Sequence, residues 1–167
     1  LTQRAGNFLV AREKFDNFSW DMVKGKNVLG GRKGGMPQMV LEYILKANNI
    51  DPASDLSIDQ SVDFGLTAGA FSGNTEYDFT VEFEPGATSL EKEGKGYVVA
   101  SLGVDSGYVP YTAYSAKKSY IEKNPEIIKD FTSAIQKGLD YVNSHSSAEI
   151  AKVIAPQFED TDIDTIT

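Results

Sequence analysis

The 167-residue sequence contains no cysteine and a single histidine, and these two scarcities exclude several kinds of chemistry. Without a thiol, the sequence offers no disulfide, no cysteine nucleophile and no cysteine-bound zinc. The histidine, His145, follows the longest predicted helix and stands far along the chain from the loops described below. Because a cation suits a helix C-terminus, we expect His145 to be a solvated residue at a helix end. We therefore predict no catalytic residue, no metal, no cofactor and no enzymatic activity.

Positive charge and long apolar runs are also scarce. The sequence has 16 Lys and Arg against 24 Asp and Glu, and this net charge of −8 argues against a nucleic-acid partner, which favours a basic face. No stretch approaches the roughly 20 apolar residues that a membrane-spanning helix needs. Hydrophobic residues make up 41% of the chain, which is ordinary for a globular domain. The first residue is Leu1 rather than methionine, so we expect a mature form or an internal piece.

Short apolar and β-branched segments alternate with helical patterns between residues 27 and 102. The patterns predict strands at residues 27–30, 56–62, 77–83 and 97–102, and helices at residues 36–47, 64–71 and 85–93. This alternation is typical of an α/β fold in which helices cover a parallel sheet. Residues 8–11 are a further strand candidate, and Pro110 suits residues 108–114 to an edge or crossing strand.

The pattern is helical from Ser115 onward. Ser115 is the predicted cap of a helix at residues 116–123, and Pro125 opens the longest helix, which extends to about residue 143. Ser146 and Glu149 form a capping box that opens the next helix, at residues 148–155.

Residues 28–50 carry the clearest local signal, a strand end followed by a glycine-rich turn and a helix. Proline fits the first turn of a helix, so Met36-Pro37 opens this one, and asparagine tolerates the left-handed cap, so Asn48-Asn49 ends it. We expect the buried stripe of the helix to contain the apolar residues that recur every 3.6 positions: Met36, Met39, Val40, Tyr43, Ile44 and Ala47, widened by Leu41 and Leu45.

The turn itself, residues 30–35, is flexible and locally cationic. The first turn of a helix has free N–H groups and a partial positive charge, glycines let a ligand approach the backbone, and Arg32 and Lys33 add charge. These features predict a site for a carboxylate, sulfonate or phosphate. The turn matches neither a Walker loop nor a dinucleotide-binding fingerprint. The alternative is a plain strand-to-helix turn with two solvated cations.

Open parallel sheets bind ligands outside the carboxyl ends of their strands. The predicted strands deliver three loops to that edge: residues 30–36, 63–65 and 84–85. Asp63 and Glu84 therefore either cap helices or face a ligand, and both interpretations stay open. The carboxylates of Glu82 and Glu84 can both serve on a loop, so this pair gives no assignment of an acid and a base.

Three runs carry a resemblance to a known family: KGKNVLGGRKGGMPQMVLEYILKANNIDP, VDFGLTAGAFSGNTEYDFTVEFEPGATSLEKEGKGYVVAS and YTAYSAKKSYIEKNPEIIKDFTSAIQKGL. They resemble extracytoplasmic solute-binding proteins of ABC importers, in the branch for sulfonates, taurine, nitrate and thiamine-pyrimidine precursors. The resemblance implies the type 2 periplasmic binding protein fold, in which crossing strands join two α/β lobes and the ligand lies in the cleft.

By this resemblance the chain is a fragment that lacks most of the first lobe. Residues 1–115 are the second, inserted lobe, a three-layer unit with a mainly parallel sheet and crossing strands at both ends. Residues 116–167 are a helical segment that returns toward the first lobe. An exposed half-cleft favours self-association of such a fragment.

The resemblance also implies roles for individual residues. It implies that Arg32, Lys33, Gly34, Gly35 and Met36 present amides to an anionic ligand head and that Asp63 and Glu84 stand at the matching edge of the cleft. Tyr111, on the return crossing together with Tyr114, either lines the hinge or packs, and we favour packing.

The resulting function is capture of a small anionic or zwitterionic ligand outside the cytoplasm, in the periplasm or on a lipid anchor, for delivery to an ABC permease. The alternatives are binding of a thiamine-pyrimidine precursor, a pyrimidine-precursor synthase on the same fold, and the effector domain of a transcription regulator. The synthase type needs cysteine and histidine ligands, and nothing in the sequence resembles a DNA-binding helix pair.

Overall fold

In the computed structural model, which describes residues 2–167, the chain divides into two units, Leu1–Ala113 and Tyr114–Thr167. The first unit contains every strand of the described chain, and the second is helical. The division lies two residues before the boundary that we expected at residue 115. The assignment of the units to the lobes of a two-lobed protein stays a prediction.

Five strands form one mixed sheet in the first unit. They are β1 (Asn7–Ala11), β2 (Asn27–Leu29), β3 (Ser57–Asp59), β4 (Phe79–Phe83) and β5 (Tyr97–Ser101), in the order β3-β2-β4-β1-β5. β2 pairs in parallel with β3 and β4, whereas β1 pairs antiparallel with both β4 and β5. Four strands therefore share one direction, as expected of a mainly parallel sheet, and β1 runs antiparallel to them between β4 and β5.

Helices cover both faces of this sheet. They are α1 (Met36–Ala47), α2 (Thr67–Gly73), α3 (Gly86–Lys92) and the short α4 (Leu102–Asp105), which was not predicted as a helix. Successive strand residues point to opposite faces, so Val28 joins the core cluster under α1 and α4 while Leu29 joins the cluster under α2 and α3. The three-layer α/β architecture predicted from the sequence is confirmed.

Two strand predictions extended too far. The strand expected at residues 56–62 ends at Asp59, because Asp59 Oδ1 accepts hydrogen bonds from the backbone N–H and the hydroxyl of Ser61 at 2.8 and 2.6 Å. Such a local side-chain bond competes with the ladder of a sheet. The segment 108–114 forms no strand, and its residue Thr112 makes only an isolated antiparallel bridge with Thr2.

The buried face of α1 differs from the predicted stripe. Met39 and Tyr43 are 51% and 54% exposed, so the expectation that they are buried is wrong. The residues that pack on the sheet are Val40, Leu41, Ile44 and Leu45, which lie side by side on adjacent turns. The helix bounds were predicted correctly, and Asn49 adopts the left-handed conformation expected of its stop.

The second unit contains α5 (Lys118–Lys123), α6 (Pro125–Ser144), α7 (Ser147–Ile154) and α8 (Ile163–Ile166). The capping box is present, because Ser146 N–H donates to Glu149 Oε2 at 2.9 Å. The predicted cap at Ser115 is wrong, since α5 begins at Lys118. The apolar stripe of α6 contains no buried residue, and Ile127 and Phe131 are exposed. Within residues 2–167, no helix combines the length and apolarity that crossing a bilayer requires.

The contrast between Leu45 and Met39 tests the orientation of α1. Leu45 is fully buried, so Leu45→Ala is expected to lower the free energy of unfolding by about 2–5 kcal/mol. Met39→Ala is the matched control on the exposed face, and we expect it to change that free energy by less than about 0.5 kcal/mol. Urea denaturation followed by circular dichroism measures both values. Equal losses for the two variants would mean that Met39 also faces the sheet.

Candidate functional site

Three loops of the first unit meet at the edge formed by the carboxyl ends of β2, β3 and β4. The ring of Phe64, in the 3-10 turn Phe64–Leu66, joins the three loops. This ring lies against Gly31 and Gly35 of the loop after β2, and it makes an edge-on contact with Phe83 at a centroid distance of 5.6 Å. We call this region the strand-end site, made of residues 30–36, 63–67 and 82–86.

The packing of Phe64 explains why glycine stands at position 31. Gly31 has a φ of +73°, and a Cβ atom placed there would lie 2.1 Å from Phe64 Cε1. Gly34 also has a positive φ, +80°, but the space around its Cβ position is open. Gly31 is therefore required by both the turn and the ring, whereas Gly34 is required only by the turn.

Two of the amides that we expected to be free are already hydrogen-bonded within the protein. Gly34 N–H donates to Gln38 Oε1 at 3.0 Å, and Gly35 N–H donates to the carbonyl oxygen of Arg32 at 3.3 Å. The expectation of unpaired amides is therefore wrong at these two positions. Within residues 2–167, the N–H groups of Met36 and Gln38 have no protein acceptor, so they are the donors that remain at the start of α1.

Gln38 is a functional candidate that the sequence reasoning missed. It is buried in the first turn of α1, where its side chain receives the Gly34 amide and donates in turn to Glu42 Oε1. This chain of hydrogen bonds fixes the loop to the helix. The available signal was a glutamine four residues after a glycine, inside an otherwise apolar first turn.

The two cations of the loop are exposed. Arg32 and Lys33 form no ion pair with any residue in the described part of the chain, so their charges are available to a ligand. A negatively charged group placed between them and the first turn of α1 would meet both the side-chain cations and the positive end of the helix.

The two carboxylates at this edge have different environments. Glu84 Oε2 accepts a hydrogen bond from the backbone N–H of Thr88 at 3.1 Å, so this side chain caps α3, one of the two alternatives that the sequence left open. Asp63 precedes the 3-10 turn and makes no capping bond with its side chain, and it is exposed. Asp63 is therefore the carboxylate that a ligand amine or hydroxyl reaches more easily.

Glu82 lies inside β4, within the strand predicted at residues 77–83, and only 3% of its surface is exposed, so it does not share a loop with Glu84. Glu82 Oε1 accepts a hydrogen bond from the Thr80 hydroxyl at 2.7 Å, and Glu82 Oε2 lies 3.0 Å from the Thr67 hydroxyl oxygen. Burial raises the pKa of Glu82 to about 7, and a hydroxyl that donates to its carboxylate opposes this rise. The alternation of β4 was the available signal, because Glu82 shares the face of Thr80 beneath α2.

Tyr111 is packed rather than exposed, as we had favoured. Its hydroxyl donates to Asn7 Oδ1 at 3.3 Å, and its ring belongs to the core under α1. Burial raises the pKa of Tyr111 to about 12. Asn7 is the first residue of β1 and lies at the same edge as the strand-end site. Tyr114, in the second unit, is exposed and contacts Phe131 edge-on at 4.8 Å.

His145 occupies the position expected from the sequence. It follows α6 as an exposed residue, and its ring stacks on Tyr141 at a centroid distance of 3.7 Å. Among residues 2–167, no group of three or more histidine, aspartate and glutamate side chains is arranged to hold a metal ion. The strand-end site therefore offers cations, helix amides and a carboxylate, which can bind a small anion or zwitterion.

The chain resembles known proteins in both sequence and fold. Residues 11–155 match the model of the NMT1-like family. Over 166 residues, 99% of the chain, the sequence is 49% identical to a Bacillus subtilis (strain 168) protein named "Putative binding protein YtlA" and covers 49% of it.

Two solved structures share the fold. The periplasmic aliphatic sulphonate binding protein SsuA from Escherichia coli superposes with a TM-score of 0.76 at 17% identity, over 99% of this chain and 54% of that one. The alkanesulfonate-binding protein SsuA from Xanthomonas axonopodis pv. citri, bound to MOPS, superposes with a TM-score of 0.75 at 14% identity, over 96% and 53%. At these identities the superpositions show the fold alone. The chain spans about half the length of each relative.

Substituting alanine for Gly31 and for Gly34 distinguishes two reasons for glycine: the positive φ of the turn, which both positions share, and the contact with the Phe64 ring, which only Gly31 makes this closely. Each substitution places alanine in the left-handed region, which costs about 1–2 kcal/mol. Gly31→Ala is expected to lose a further 1–3 kcal/mol, roughly, because its Cβ meets the Phe64 ring. Urea denaturation measures the difference. In the Phe64→Ala background the extra loss should disappear, and its persistence there would show that the ring is not its cause.

Proposed function

Because the chain belongs to the NMT1-like family, we propose that it is the solute-binding part of an ABC importer. In this proposal it captures a small anionic or zwitterionic organic ligand of the aliphatic sulfonate, taurine and nitrate class. It acts outside the cytoplasm, either in the periplasm or lipid-anchored at the outer face of the membrane, and delivers the ligand to a membrane permease. The proposal includes no catalytic step.

The observation that carries this proposal is the similarity to YtlA over nearly the whole chain. The two SsuA structures support the ligand class, since one is named for aliphatic sulphonates and the other for alkanesulfonates with MOPS bound. A sulfonate is a permanent anion with three acceptor oxygens. Such a group suits a site with two exposed cations and free amides.

We assign the ligand contacts to the strand-end site. Arg32 and Lys33 supply charge to the anionic head, and the Met36 N–H supplies a hydrogen bond. Gly34 and Gly35 allow close approach of the ligand, although their own amides are engaged. The two carboxylates, Asp63 and Glu84, receive an amine or hydroxyl of the ligand, and Tyr111 supports the hinge side of the site through Asn7.

The relatives are about twice as long as this chain, so we place the opposite wall of the cleft in the sequence that they have in addition. A ligand that contacts both walls stabilises the closed state over the open one, which makes closure a signal of occupancy. Self-association of this chain also stays a prediction, and the exposed apolar stripe of α6 supports it.

A thermal-shift screen tests the ligand class. We expect ethanesulfonate, taurine, nitrate or MOPS to raise the melting temperature of the longer protein that contains this sequence, because a ligand stabilises the folded state it binds. The same compounds should bind the 167-residue chain more weakly, since one wall of the cleft supplies part of the contacts. A shift with a pyrimidine precursor alone would favour the thiamine-related alternative. If all these compounds leave the melting temperature unchanged, the proposed class is wrong.

The loop cations provide a test of the site itself. Arg32→Ala and Lys33→Ala are each expected to weaken binding of an alkylsulfonate about three- to tenfold, because each removes an exposed charge-assisted contact. Lys46→Ala is the matched control, since Lys46 lies in the last turn of α1 and pairs with Glu42. Titration calorimetry on the longer protein measures the three affinities. If Lys46→Ala lost as much affinity as the two loop variants, the anion would not bind at the start of α1.

A further inference from the structure

The hydroxyl of Thr67 is shared between two neighbours, although it carries one proton. Thr67 Oγ1 lies 3.0 Å from the carbonyl oxygen of Phe64 and 3.0 Å from Glu82 Oε2. A hydroxyl donates one hydrogen bond and accepts others, whereas a carbonyl oxygen only accepts. If the Thr67 proton points to Phe64, the contact with Glu82 is a hydrogen bond only when Glu82 carries a proton and donates it to Thr67.

The other oxygen of Glu82 is compatible with this assignment. Glu82 Oε1 accepts from the Thr80 hydroxyl at 2.7 Å, which leaves Oε2 to carry the proton. Glu82, Thr67 and Thr80 are all buried, so water does not replace a missing bond. A protonated Glu82 therefore satisfies every contact of the three side chains at once, and an ionised Glu82 does not.

We propose that Glu82 is a positioning residue for the ligand loop, because its protonated carboxyl holds Thr67, and Thr67 in turn holds the Phe64 carbonyl. The Phe64 ring occupies the space above Gly31 and borders Gly35, so the position of its backbone sets the position of the glycine turn. The ligand role of that turn rests on the proposed function, but the hydrogen-bond relay from Glu82 to Phe64 stands without it.

The surroundings of Glu82 favour the protonated form. None of the residues of β1 or α2 is titratable, and the titratable residues of α3 are Glu91 and Lys92 in its last turn. The other carboxylates of the strand-end site are Asp63 and Glu84, both exposed. Burial raises the pKa of Glu82 from its ordinary value of 4.5 to about 7, and no charged side chain contributes to this shift.

The sign of the pH dependence follows from these values. Between about pH 4.5 and about pH 7 the folded protein binds more protons at Glu82 than the unfolded chain does, so protonation favours folding. The stabilisation is complete below the unfolded pKa and is lost as the pH rises through the folded pKa. The relay to Phe64 is expected to break over the same interval.

Three measurements on the 167-residue chain, without any ligand, test the relay. The carboxyl carbon of Glu82 should titrate near pH 7 in NMR spectra. The amide signal of Gly31, which senses the ring of Phe64, should follow the same titration. From about pH 5.5 to about pH 8, the unfolding equilibrium constant should rise about 30-fold more than in Glu82→Gln, whose amide donates to Thr67 at every pH.

Two variants separate the relay from general destabilisation. Thr67→Val removes the hydroxyl, so Glu82 should still titrate while the Gly31 signal no longer follows it. Glu76→Gln is the matched control, because Glu76 is exposed and precedes the same strand, and this variant should keep the wild-type pH response. If Glu82→Gln does not fold, the wild-type titration and Thr67→Val decide the question. A normal Glu82 titration near pH 4.5, or a Gly31 signal that ignores it, would overturn the proposal.

Binding adds a fourth readout in the longer protein. Affinity for ethanesulfonate should fall several-fold as the pH rises past about 7 in the wild type and stay constant in Glu82→Gln, as a positioning role requires. If no anion binds at any pH while the ligand-free titrations behave as expected, the proposed function fails and the relay survives. An affinity that falls equally in both proteins would show that Glu82 does not position the ligand loop.

Discussion

The contact between the Phe64 ring and the backbone of Gly31 is the constraint on which the strand-end site depends. Because position 31 has no side chain, an aromatic ring from the loop after β3 lies directly against the loop after β2. The same ring meets Phe83 at the end of β4, so one side chain aligns three strand ends that are distant in sequence. Aromatic rings supply large contact areas with defined edge-on geometry, which makes Phe64 suited to this role.

This constraint changes the meaning of the glycine-rich turn. Gly31 serves the internal packing of the protein, and Gly34 donates its amide to Gln38. The amides that remain as hydrogen-bond donors for an anion are therefore those at the start of α1, on Met36 and Gln38. What the turn contributes is the placement of Arg32 and Lys33 at the edge of the sheet. The case for transport consequently depends more on family membership than on the loop itself.

Much of the fold could be predicted because its signals are local. The alternation of strands and helices, the proline-opened α1 and the capping box at Ser146 depend on neighbours within a few residues. The position of β1 between β4 and β5 could not be predicted, since these partners lie about 70 to 90 residues away along the chain. For the same reason the sequence did not show that Gln38 occupies an amide or that Glu82 faces inward against Thr67, because each depends on the tertiary packing of its helix or strand.

Charge alone cannot give the strand-end site high affinity. Arg32 and Lys33 are exposed, and exposed charges are screened by water and salt, so an anion held from this side gains little from each contact. The attraction grows when a second surface excludes water from the ligand. Relatives of twice the length have the sequence to build such a surface. If a longer protein builds this second surface as we propose, the affinity difference between that protein and this chain measures what the second surface contributes, whereas the effect of Arg32 and Lys33 within one protein measures what this edge contributes.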